Sequence, residues 1–153
     1  MNILIFQQYQ QIIVSLILLF FLIALSIIDI LTYNKKEGKG IPAILSTSLI
    51  IVAFILSPDY NLALISAFFG FLIGMVFVDM DIFRGVADWK VVVGCSIVMP
   101  SILYVSIYGF LIAFIGIFVS FLWKKYIGQT DQIPYIPFLT LAYLITMVVI
   151  YFV

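Results

Sequence analysis

Apolar and polar positions alternate along this chain in long blocks rather than residue by residue. Nearly unbroken apolar runs occupy residues 12–31, 42–56, 61–78, 91–123 and 135–153, separated by short polar stretches. A helix that crosses a bilayer needs about 20 mainly apolar residues, and these runs have that texture and come close to that length. Pro42 falls in the first turn of the second run, where its missing N–H does no harm. The run over 91–123 has 33 residues. As one helix it would measure about 50 Å, too long for a hydrocarbon core of about 30 Å. It therefore divides into two helices, with a turn expected near Ser106-Ile107-Tyr108-Gly109. The predicted fold is all-α, a single polytopic membrane domain over residues 1–153. Its six transmembrane helices are expected over 12–31, 42–56, 61–78, 88–105, 109–123 and 135–153. Barrel strands would alternate with a period of two, which these runs do not.

Composition removes the alternative of a soluble domain. Of 153 residues, 66% are hydrophobic and 9% charged. Soluble domains are about half apolar and about a quarter charged, and one of this size has too little interior to hide so much apolar surface. The first run lacks a basic leader region and an Ala-x-Ala-like cleavage site, so it is expected to be retained as a helix. Charge then orients the bundle. With six spans, the loops after helices one, three and five share a side. Those loops and Lys90 hold all seven basic residues: Lys35, Lys36, Lys39, Arg84, Lys90, Lys124 and Lys125. The positive-inside rule puts that side in the cytoplasm and both termini outside. Fusing helices four and five would carry Lys124 and Lys125 to the opposite face.

The residue inventory narrows the chemistry. Seven basic and seven acidic residues give no net charge, so no nucleic-acid surface is expected. Histidine is absent, which removes Ser-His-Asp triads, Cys-His dyads and the usual zinc and haem sites. The single cysteine, Cys95, can form neither an internal disulfide nor a metal knuckle, and reads as a small apolar residue. No metal or cofactor is expected. Asp29 and Asp88 lie at helix ends within apolar flanks, where a carboxylate must face the bundle interior, a partner or water. Both are at the cytoplasmic ends, and would meet if helices one and four pack together. Two carboxylates a few ångströms apart share one proton. The ionised member can then take a proton from water while the protonated one polarises a carbonyl, as in aspartic proteases.

Quieter roles exist for the same residues. Asp88 can cap helix four. Asp29 can pair with Lys35 or Lys36. Asp79 and Asp81 can be solvated loop acids, and Gly85 a turn. From another functional class comes a transport component that relays protons or an ion through Asp29 and Asp88. No broken midplane helix or internal repeat accompanies that reading.

The segment Gly85-Val86-Ala87-Asp88, followed by Trp89-Lys90, resembles the Gly-x-Gly-Asp-x-Lys signature of type IV prepilin leader peptidases, in the Gly-x-Ala-Asp form of the archaeal preflagellin peptidases. Asp29, a basic loop and then Ile41-Pro42 are similar to that family's first catalytic aspartate and the Ile-Pro pair after it. Ile133-Pro134-Tyr135-Ile136-Pro137-Phe138-Leu139 is similar to the proline-rich start of its last helix. The three matches occur in family order. The resemblance implies a Gly-x-Gly-Asp type of intramembrane aspartic endopeptidase, with Asp29 and Asp88 as the catalytic pair. Gly85 and Ala87 would let the loop approach the substrate backbone. The implied partners are prepilin- or preflagellin-like precursors with short basic leaders, cleaved at the cytoplasmic face. Asp79, Asp81 and Glu37 are expected to attract such a leader, an effect that salt would weaken. Three features depart from the pattern. The segment from Lys35 to Gly40 lengthens the first loop, and Ala87 stands where the signature has Gly. The cysteine-rich metal-binding loop of the bifunctional bacterial members is missing, so no methyltransferase activity is expected.

Overall fold

The computed structural model describes residues 3–32, 40–80, 83, 86–126 and 133–152, and over these the chain is all-α. Six helices follow one another: α1 Ile3–Thr32, α2 Gly40–Leu56, α3 Tyr60–Asp79, α4 Val86–Ile97, α5 Ile102–Tyr126 and α6 Ile136–Phe152. Three segments are long and apolar enough to cross a membrane: Tyr9–Thr32, Tyr60–Asp79 and Ile102–Val119. Two further apolar helices, α2 and α6, have 17 residues each, and α4 has 12. The outward faces are apolar as well, with Phe20, Phe110, Phe114 and Phe121 all exposed. Such an exterior is stable in lipid rather than in water, and the protein is membrane-associated.

The shortest helix lies at the centre. Nine residues of α4 are buried, among them the whole stretch from Val91 to Ile97, Cys95 included. A helix buried all round needs neighbours on every side. α4 packs on α3, α2 and α6; α1 packs on α6 and α2; α5 packs on α6 and α3. Small residues make the tightest of these approaches possible. A Cβ on Gly70 would lie 2.5 Å from Ser96 Oγ, and one on Gly74 would lie 2.9 Å from Trp89 Cβ. Two glycines four residues apart on one face of α3 thus let the α4 backbone come close, as small-xxx-small pairs do in membrane helices. On the far side of α4, Gly94 makes room for Leu49 of α2.

The long fourth apolar run does divide, but not at the expected place. Residues 102–126 form one continuous helix, so the turn expected at Ser106–Gly109 is absent and the break falls at 98–101. Pro100 is the cause. It has no N–H to continue α4, and it biases Met99 away from helical geometry. The Met99 N–H closes back on Ser96 O, and Ser101 O accepts from the Tyr104 and Val105 N–H groups to begin α5. Gly109 is a packing residue: a Cβ there would lie 2.9 Å from Ile73 Cδ1 of α3. Helix α5 also runs on through Lys124 and Lys125, which had been expected in a loop.

Candidate active site

The first acid is positioned by the antiparallel pairing of α1 with α6. Asp29 lies one turn before the end of α1 and is half-buried. Its Oδ2 accepts a hydrogen bond from the Ile136 N–H at 3.2 Å. Helices begin with N–H groups that lack intrahelical partners. In the first turn of α6, Pro137 has no N–H, while Phe138 and Leu139 donate to Tyr135 O. Ile136 is left to donate outward, and the carboxylate of another helix takes the place of a cap. Negative charge is favourable at a helix N-terminus. The partner of Asp29 among the described residues is therefore this N–H; Lys35 and Lys36 lie outside them.

Asp88 is the third residue of α4 and only 6% exposed. Ala87 beside it is buried too, and its small side chain fits the crowded start of that helix. Trp89 packs edge-on to Phe71 of α3, with ring centroids 5.8 Å apart. Lys90 reaches to α2, where its Nζ donates to Thr47 Oγ1 at 2.8 Å and to Ala43 O at 3.5 Å. The start of α4 is thus held from two sides, which fixes the direction in which Asp88 leaves the backbone.

Both acids belong to the same end of the molecule. The contacts of Asp29, Trp89 and Lys90 gather there the C-terminal ends of α1 and α3 and the N-terminal ends of α2, α4 and α6. Phe83 links the elements further: its N–H donates to Phe77 O at the end of α3. Its buried ring lies 5.2 Å from that of Phe77 and 6.0 Å from that of Tyr135. Asp29 therefore rests on Ile136, while Phe83, five residues before Asp88, rests on the adjacent Tyr135. Helices α2 and α6 each pack on both α1 and α4, and so bridge the two helices that carry the acids.

The remaining expected residues divide plainly. Asp79 is exposed at the end of α3. Glu37, Asp81 and Gly85 lie outside the described residues. Asp59, at the opposite end, caps α3 by accepting from the Asn61 and Leu62 N–H groups at 2.9 and 3.1 Å. It borders a cavity of about 210 Å³ with Gln11, Ser57 and Pro100. Among the described residues no group of three or more acids or cysteines is arranged to hold a metal ion. The Ile136 N–H, the Phe83–Tyr135 contact and the Lys90–Thr47 bond were not foreseen. Only the first had a signal in the sequence, the prolines at 134 and 137 that mark the start of α6. No protein-family model, curated protein or solved structure matches this chain.

Proposed function

We propose that this protein is a membrane-embedded aspartic endopeptidase that removes the short basic leader of prepilin- or preflagellin-like precursors. Asp29 and Asp88 are its catalytic pair, working at the cytoplasmic face. One observation carries the reading: two acids distant in sequence, each held in a nearly apolar protein, lie at one end of the bundle, Asp29 against the start of α6 and Asp88 in the first turn of α4. One carboxylate, ionised, removes a proton from water as the oxygen attacks the scissile carbonyl. The other, protonated, donates to the carbonyl oxygen. The tetrahedral intermediate then collapses, and the proton taken from water passes to the departing amine. Every atom needed is present in two carboxyls and a water, and the missing histidine is not required.

All six helices cross the membrane in this reading, with both termini outside. At about 1.5 Å per residue α2 and α6 are about 25 Å long, close to the thickness of the hydrocarbon core. α4 is shorter, but it is shielded from lipid by its neighbours, and buried Val98 and Met99 continue its path. The basic residues then face the cytoplasm, and Asp79, with Asp81 and Glu37, draws in the leader. Co-expression with a candidate precursor, read as a mobility shift, is the direct test. Asp29→Asn and Asp88→Asn should each abolish cleavage while insertion and folding persist, and Asp79→Asn should raise KM at low salt alone. Cleavage that survives either of the first two substitutions rejects the catalytic pair. Proton flux in proteoliposomes without cleavage of any precursor would assign the acids to transport.

A further inference from the structure

Among the described residues, side-chain hydrogen bonds join α1 to α6 at three levels, and they share one register; at the middle level Thr140 Oγ1 also lies 3.4 Å from Leu22 O. Ser15 Oγ lies 3.0 Å from Tyr151 Oη, Ser26 Oγ lies 2.8 Å from Thr140 Oγ1, and Asp29 Oδ2 accepts from the Ile136 N–H. Eleven residues back from Ser26 along α1 correspond to eleven residues forward from Thr140 along α6. The Ser26–Thr140 pair stands immediately beside the acid. Ser26 is three residues before Asp29, and Thr140 is four residues after Ile136. We propose that Ser26 and Thr140 are positioning residues for Asp29, fixing the register in which its carboxylate meets the α6 N-terminus.

The hydroxyl geometry explains how the pair grips. Ser26 Oγ is also 2.8 Å from Leu22 O, and Thr140 Oγ1 is 2.9 Å from Ile136 O. Each hydroxyl has a single proton. One proton bridges the two oxygens and the other closes on a backbone carbonyl, Leu22 O for Ser26 and the nearer Ile136 O or Leu22 O for Thr140, so neither oxygen is left unsatisfied in an apolar interior. When Ser26 donates to Thr140, Thr140 donates to the carbonyl of Ile136, the same residue whose N–H holds Asp29. A slip of one residue along α1 turns that helix by about 100° and shifts it by about 1.5 Å, which breaks both contacts together. Asp29 is close to the end of α1, where helices fray, and the Ser15–Tyr151 pair is about four turns away. Among the described residues, Ser26 and Thr140 make the hydroxyl–hydroxyl contact between the two helices that lies nearest the last turn.

The catalytic consequence rests on the peptidase reading; the geometric one does not, and the test separates them. Carboxyl labelling of Asp29 by dicyclohexylcarbodiimide in the intact membrane protein reads whether its oxygen is held. Thr140→Val and Ser26→Ala should each raise the labelling rate several-fold. Thr140→Ser, which keeps the hydroxyl, should label as the unaltered protein does. Ser15→Ala removes a hydroxyl contact from the same helix pair and should also leave labelling unchanged. In the cleavage assay Thr140→Val should lower kcat about tenfold or more with KM nearly constant, the signature of a misplaced reacting group. Unchanged labelling in Thr140→Val and Ser26→Ala, or an equal rise in Ser15→Ala, overturns the proposal. If the unaltered protein cleaves no precursor, the peptidase reading fails while the labelling still decides the positioning.

Discussion

Three aspartates have been given different work by their neighbours. Asp59 satisfies two backbone N–H groups of its own helix. Asp29 satisfies one N–H of a helix more than 100 residues away in sequence, and its second oxygen is not committed to that bond. Asp88 is buried at a helix start that is wedged against α3 and tied to α2. Asn caps nearly as well as Asp, so Asp59→Asn should change stability by less than about 0.5 kcal/mol, whereas Asp59→Ala should cost about 1 kcal/mol. Thermal unfolding in detergent measures both. A large loss in Asp59→Asn would mean that its charge, not its cap, matters. Asp29 and Asp88 could be picked from the sequence because a carboxylate in an apolar flank is expensive. The partner of Asp29 could not, because a backbone N–H carries no side-chain label. It became legible only when Pro137 was seen to leave the first turn of α6 a donor short.

The helices obey the same division between what is local and what is not. Long apolar runs announced α1, α2, α3 and α6 within a few residues at most boundaries, since hydropathy acts along the chain. The break between α4 and α5 was misplaced because Ser106 and Gly109 look like turn residues when read without neighbours. Gly109 is small so that Ile73 can approach, while Pro100 breaks the helix by covalent geometry. The close α3–α4 contact makes its own prediction. Gly74→Val would press into Trp89, whose Cβ and Cα lie 2.9 and 3.4 Å from the new Cβ, and neither backbone can yield easily. It should destabilise the bundle by about 1–3 kcal/mol, the usual range for overpacking. Gly40→Ala, where a Cβ meets nothing within 4 Å, provides the contrast and should leave the unfolding temperature unaltered. Equal behaviour of the two variants would mean that α3 and α4 are not held at this distance.

At the scale of the whole molecule, packing gathers one end of the bundle. The contacts of Asp29, Phe83, Trp89 and Lys90 collect one set of helix ends, and the basic residues cluster in sequence near those same ends. Sidedness follows from the six-span reading and can be measured. Tyr60→Cys, near Asp59, should react with a membrane-impermeant thiol reagent on intact cells. Glu37→Cys should react only after permeabilisation. The reverse pattern would invert the bundle and put the acids outside. That measurement needs a silent background, which the native sequence already provides. The only thiol in the chain, Cys95, has no exposed surface on the central helix and lies against Tyr108. A permeant maleimide can reach it only when α4 separates from its neighbours. Its rate of alkylation is thus a built-in clock for the opening of the bundle, and would time the breathing motions of the unmodified chain without any added reporter.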